Sequence, residues 1–185
     1  MQLKILGGQL KGRNIKTPNI PSTRPITSLL RKSIFDSLQF SIEGTRILDL
    51  FAGSGAIGLE ALSRGSTFAC FIDNNPLAIN CIRENLEALT LKNSAWVIQK
   101  DAFTYLEEYD REPFDILFID PPYPIGLEGY TRLLHLLSTS KALTLESRIL
   151  LEAPSQIGKS LTPLITSLFT IKKERKTSTT ILFHL

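Results

Sequence analysis

The chain has 185 residues, 43% apolar and 21% charged, a balance that excludes intrinsic disorder and supports one core without disulfides or metal. No apolar run approaches the roughly 18 residues of a spanning helix. Cys70 and Cys81, with His135 and His184, offer neither a disulfide framework nor metal-ligand spacing.

The net charge of +3 is unevenly spread. Residues 1–35 hold Lys4, Lys11, Arg13, Lys16, Arg24, Arg31 and Lys32 and no acid, so the arm is +7 and the remainder −4. A basic arm on a mildly acidic body is the footprint of a protein that meets a phosphate backbone. Gly7, Gly8 and Gly12 with Pro18, Pro21 and Pro25 suit a segment that hugs a surface in extended form. The opening MQLKILGGQLKGR has glycines and lysines where a signal peptide would have its apolar centre, so a cytoplasmic setting with reduced cysteines is expected.

After the arm, residues 27–38 place Leu30, Ile34 and Leu38 four apart, a helix that docks the arm on the body. Strands are predicted at 45–50, 67–73, 94–101, 114–120 and 147–153, with helices at 55–64, 76–89, 102–109 and 127–140 between them. Apolar strands alternating with helices mean a mostly parallel sheet covered on both faces. At the end, 167–173 and 178–185 flank Glu174-Arg175-Lys176-Thr177, a connection too short for a parallel crossover. An antiparallel hairpin closing a seven-stranded sheet is expected there.

Two motifs carry chemistry. Asp49 ends the first core strand, and Phe51-Ala52-Gly53-Ser54-Gly55 turns into a helix, Gly58 completing a Gly-x-Gly-x-x-Gly string. Glycines let a ligand approach the backbone above a helix N-terminus. Asp73 ends the next strand, where a carboxylate accepts from a ribose diol. Asp49 would repel a pyrophosphate but welcome an ammonium and a sulfonium, which disfavours a nicotinamide dinucleotide. Asp101, ending the third strand, suits an adenine amino group and equally well a helix N-cap.

The second motif is Asp120-Pro121-Pro122-Tyr123, at the carboxyl end of the fourth strand, where ligands bind in such sheets. The prolines stiffen the turn and remove backbone donors, leaving carbonyls free. An exocyclic amine is a poor nucleophile because its lone pair is delocalised into the base ring. Accepting both N–H groups, with the Asp120 carboxylate and the Pro121 carbonyl, restores that lone pair and aligns the nitrogen with a methyl donor. Tyr123 stacks on a base taken out of its helix. Candidate catalytic residues are therefore Asp120, Pro121 and Tyr123. Those for a cofactor are Asp49, Phe51, Gly53, Gly55, Asp73 and Asp101, and those for a nucleic-acid backbone, RNA or DNA, are Lys11, Arg13, Arg24 and Arg31. No metal ligands are expected.

On these residues the sequence resembles the Rossmann-like S-adenosylmethionine-dependent methyltransferases, and more narrowly the RsmD family of 16S rRNA guanine-N2 methyltransferases. The resemblance covers nearly the whole chain: residues 5–18 and 23–38 match its basic N-terminal segment, 49–65 its cofactor loop and first helix, and 120–123 its amine-methylating motif. It implies S-adenosyl-L-methionine as cofactor and methylation of one guanine in small-subunit rRNA, within an assembled or assembling particle. It also implies a monomer of one domain, with an RNA-contacting extension over 1–40 and the cofactor-binding and catalytic core over 41–185. The alternative kept open is another RNA or DNA amino-methyltransferase acting on adenine N6 or cytosine N4. The chain departs from the family in having Asp73 for a usual Glu, no acid near Ser28 and Lys32, and no glycine in the last hairpin.

Overall fold

In the computed structural model, residues 3–20 and 27–185 are described. The chain divides into two compact units, the first ending at Asp101 and the second running from Ala102 to Leu185.

The first unit begins with two short antiparallel strands, β1 (Leu3–Lys4) and β2 (Asn14–Ile15). It continues with α1 (Ser28–Leu38), β3 (Arg46–Asp49), α2 (Ala56–Ser63), β4 (Phe68–Asp73), α3 (Pro76–Ala88) and β5 (Ala95–Gln99). Strand β4 pairs in parallel with β3 and β5. Its Ala69, Cys70, Phe71 and Ile72 are all buried, which explains why its sequence is a continuous apolar run rather than an alternating one. Local chemistry sets the helix starts. Thr27 Oγ1 accepts the Leu30 N–H at 3.2 Å for α1, and Asn75 Oδ1 accepts the Leu77 N–H at 2.9 Å for α3, where Pro76 occupies the first turn.

The second unit holds α4 (Ala102–Glu108), β6 (Ile116–Ile119), α5 (Gly126–Thr139), β7 (Arg148–Pro154), α6 (Ser155–Leu168), β8 (Lys173–Lys176) and β9 (Thr180–His184). Strands β6 and β7 are parallel, and β9 runs antiparallel to both β7 and β8. The sheet order is β5-β4-β3-β6-β7-β9-β8, the mostly parallel seven-stranded α/β sheet with a terminal antiparallel hairpin that the sequence predicts.

Two elements correct the sequence reading. Residues 155–168 form α6, which the reading leaves without an element, and the strand placed at 167–173 is instead Lys173–Lys176. Pro163 inside α6 masks a helix whose buried face is only Gly158, Leu161 and Ile165. The residues read as the hairpin connection are themselves the strand, because β8 is the outermost strand and carries charge where an inner one carries apolar side chains.

Candidate functional site

Strand β3 delivers the glycine loop. Asp49 is 1% exposed, and its Oδ2 accepts the Gly58 N–H at 3.2 Å. Helix α2 needs that acceptor because its N-cap is Gly55, which offers no side chain. Burial drives the Asp49 carboxyl up to about 7, against the opposing Gly58 hydrogen bond and with help from the charge of Asp73. The expectation that Asp49 meets a ligand's ammonium directly is therefore corrected: it stands behind the loop and fixes the start of α2.

Above it the loop opens. Gly53 has φ +54, and a Cβ there would find nothing within 4 Å, so this position presents bare backbone to free space. Its N–H donates to Asp73 Oδ2 at 2.8 Å, while Asp73 Oδ1 accepts the Asn75 N–H at 2.8 Å. Asp73 remains partly exposed, and Phe51 is half-buried beside the loop. The third glycine serves packing: a Cβ on Gly58 would stand 2.3 Å from the Phe71 ring. Asp101 is exposed, following Lys100, whose N–H donates to the Asp73 carbonyl at 3.1 Å. The structure thus brings Asp73 and the Asp101 backbone to one end of β4 and β5, above which Gly53 lies open. These groups fit a nucleoside-bearing ligand: an exposed carboxylate, an open loop and a helix N-terminus.

The second unit carries the other motif. Asp120 follows β6 directly and is half-buried, Pro121 is buried, and Tyr123 begins a single 3-10 turn over Tyr123–Ile125 with its side chain 50% exposed. Beneath them Tyr130 of α5 is fully buried, its hydroxyl donating to the Glu152 carbonyl at 3.1 Å. Burial, then the charges of Asp120, Glu152 and Tyr123, push the Tyr130 phenol well above its usual range, so it stays a protonated donor. Glu152 is itself buried on β7, its carboxyl raised by burial and partly restored by a hydrogen bond from Thr180.

The basic arm is more structural than its charge implies. Lys11 and Arg13 are exposed as expected, although Arg13 Nη2 also donates to the Ala88 carbonyl at 2.9 Å. Arg24 lies outside the described residues, as do Pro21 and Pro25. Arg31 is contradicted as an RNA contact, being 0% exposed. Its Nη2 donates to the Lys4 carbonyl, and its Nε lies 3.8 Å from Glu60 Oε2. Glu60, also buried, accepts the Leu6 N–H at 2.8 Å and the Arg64 Nε–H at 2.7 Å. Arg31 is thus the clamp that fastens the arm to α1 and α2, a role that a count of charges cannot separate from phosphate contact. Gly8 completes the fit: it has φ +76, and a Cβ would come within 1.8 Å of the Ser63 carbonyl oxygen.

Sequence reasoning missed Asn85 and Glu60. Asn85 interrupts the apolar stripe of Ala78, Ile82 and Leu86 with a buried amide, and that interruption was the available signal. Glu60 sits inside a helix whose residues are all buried, where an acid demands a partner.

The family described as conserved hypothetical protein 95 matches residues 3–184. Ribosomal RNA small subunit methyltransferase D of Buchnera aphidicola subsp. Acyrthosiphon pisum is 36% identical over 151 residues, 82% of this chain and 78% of that protein. The Escherichia coli protein of the same name is 36% identical over 162 residues, 88% of this chain and 80% of its own length. Among solved structures, the putative methyltransferase yhhF from Escherichia coli superposes with a TM-score of 0.84 at 30% identity, covering 100% of this chain and 97% of that one. Matched over nearly its whole length, the chain belongs to the conserved hypothetical protein 95 family, the group that includes the small-subunit rRNA methyltransferase D proteins.

Proposed function

We propose that this protein transfers a methyl group from S-adenosyl-L-methionine to the exocyclic N2 amine of a guanine in the 16S rRNA of the small ribosomal subunit. Asp120-Pro121-Pro122-Tyr123 carries the reading: a half-buried carboxylate at a strand end, a stiffened turn, and an aromatic side chain half open to solvent. Its family membership and its relatives' names support an rRNA substrate.

S-adenosylmethionine, when bound, supplies a methyl carbon on a sulfonium whose bond electrons return to sulfur as the methyl leaves. In the first unit, Gly53 offers backbone for close approach while Gly55, buried against Ile82 and Phe71, opens α2 behind it. Asp73 accepts from a ribose diol, Asp101 accepts from an adenine amine, and Phe51 lines the loop. Asp49 holds the helix start beneath them. In the second unit, the Asp120 carboxylate and the Pro121 carbonyl accept the two N–H groups of the target amine, so its lone pair turns toward the methyl carbon. As the new N–C bond forms, one N–H proton leaves, and the Asp120 carboxylate that accepts that hydrogen bond stands ready to take it. Tyr123 stacks on the extracted base. Lys11, Arg13 and Arg24 contact RNA phosphates. The enzyme acts as a cytoplasmic monomer on an assembled or assembling small subunit. Among the described residues no helix is long and apolar enough to cross a membrane.

The test is methyl transfer itself. Small subunits from a strain lacking the protein are incubated with it and methyl-labelled S-adenosylmethionine, and the 16S rRNA is digested to nucleosides. Label in N2-methylguanosine is expected. Label in methylated adenine or cytosine would overturn the choice of base, and no label in RNA would overturn the substrate.

A further inference from the structure

Asn85 of α3 is 2% exposed and its amide is fully engaged. Its Oδ1 accepts the Lys16 N–H at 2.8 Å, and its Nδ2 donates to the Lys16 carbonyl at 3.0 Å and to the Ser54 carbonyl at 3.1 Å. One side chain thus closes a ring with the arm's backbone and uses its remaining hydrogen on the glycine loop. Cys81, one turn earlier, donates Sγ–H to the same Lys16 carbonyl at 3.3 Å and faces Asn85 Nδ2 at 3.8 Å. The segment from Arg13 to Lys16 is tied to α3 at further points, through Arg13 on the Ala88 carbonyl at 2.9 Å and Lys16 Nζ on Glu84 at 2.8 Å.

Ser54 is flanked by Gly53 and Gly55, both at positive φ. Glycines allow the peptides on either side of Ser54 to rotate at little steric cost, so the loop's shape depends on what its polar groups bond to. Asp73 holds the Gly53 N–H on one side, and Asn85 holds the Ser54 carbonyl on the other. A shift of the arm at Lys16 therefore reaches the loop through a single buried amide, and leaving any of its partners unpaired costs the desolvation of that group.

We propose that Asn85 is a positioning residue that couples the arm's grip on RNA to the glycine loop's grip on the cofactor. The inference rests on the reading of the arm as the RNA contact and of the loop as the cofactor contact. Binding linkage makes the coupling reciprocal: RNA on the arm tightens cofactor, and cofactor tightens RNA by the same factor.

The experiment measures S-adenosylhomocysteine affinity by calorimetry with and without saturating small subunits from a strain lacking the protein, whose 16S rRNA is the RNA partner, in the wild type and in Asn85→Leu. RNA is expected to tighten the wild-type affinity by about fivefold or more, and to leave Asn85→Leu unchanged. A purely structural asparagine would lower thermal stability and leave the coupling intact. Equal wild-type affinities with and without RNA would overturn the proposal, as would coupling that survives in Asn85→Leu. Should the leucine variant fail to fold, Asn85→Asp keeps the acceptor for the Lys16 N–H and loses the donors to the Lys16 and Ser54 carbonyls, and the same loss of coupling is expected. A wild type that binds no S-adenosylhomocysteine would sink the cofactor reading instead. The link from arm to loop would then be decided by hydrogen exchange at Gly53, Ser54 and Gly55, which RNA alone must slow.

Discussion

The glycine loop and the Asp-Pro-Pro-Tyr turn both leave the end of a buried parallel strand, but they hold their shape differently. The loop is shaped by side chains outside it, two of them distant in sequence: Asp73 on the Gly53 N–H and Asn85 on the Ser54 carbonyl, with the nearer Asp49 on the Gly58 N–H. The turn carries its stiffness covalently, in two prolines that fix φ and need no bracing bonds from their nitrogens. A glycine loop gains close approach to a ligand at the cost of depending on its surroundings. A proline turn keeps its geometry and makes its chemistry local.

Changes in the turn should therefore touch catalysis alone. Asp120→Ala is expected to lower methyl transfer by about a thousandfold or more, roughly 4 kcal/mol of barrier, while S-adenosylhomocysteine affinity stays within about twofold. Single-turnover rates and calorimetry on the same preparation check this, and parallel loss of both would erase the contrast.

Changes around the loop and its supports should spread. Glu60→Ala leaves Arg31 buried without its counter-charge and removes the acceptor for the Leu6 N–H and Arg64. A loss of about 3–5 kcal/mol in denaturant unfolding is expected, with faster hydrogen exchange over residues 5–10. A loss within about 1 kcal/mol would mean that the buried cluster is not the clamp of the arm.

Asp49 sharpens the contrast through pH. Its carboxyl is raised to about 7 in the fold from an ordinary unfolded value near 4. Between those values the native state binds the extra proton, so the contribution of Asp49 to stability is full below about pH 4 and is lost as pH rises through about 7. Asn keeps an acceptor for Gly58 without the buried charge. Asp49→Asn should accordingly gain up to about 4 kcal/mol over the wild type at pH 8, a gap that closes by about pH 4. Melting curves across that range check it, and a gap that widens on acidification would contradict the burial argument.

The smallest effect belongs to the surface. Replacing Lys11, Arg13 and Arg24 together by Ala should weaken RNA binding by about tenfold at moderate salt and lower the logarithmic salt slope by about 2–3. Filter binding at several salt concentrations measures both, and an unchanged slope would remove the arm from the RNA.

Much of this molecule was legible in its residues. The strands before both motifs were readable because strands covered on two faces must be continuously apolar, and the motifs because glycine, proline and acid each have a physical reason to sit at a strand end. Helix α6 and strand β8 were not legible. Pro163 interrupts the helical pattern, and an edge strand written Lys173-Glu174-Arg175-Lys176 has no apolar alternation to betray it. Arg31 was misread because phosphate and a buried glutamate call for the same side chain. Its helical neighbours Ile34, Phe35 and Leu38 are buried with it, and only the partner, twenty-nine positions away in the chain, tells the two uses apart.

By itself the sequence determined the order of strands and helices, the place of the glycine loop, and the acid and prolines that follow β6, because these depend on periodicity and on backbone rules acting over a few residues. Only the tertiary structure decided which polar side chains face outward and which are spent inside. Glu60, Arg31 and Asn85 all bond groups far along the chain, and Asp49 reaches across the loop to Gly58. A hydrogen bond's partner follows from proximity in space, which a local pattern does not encode.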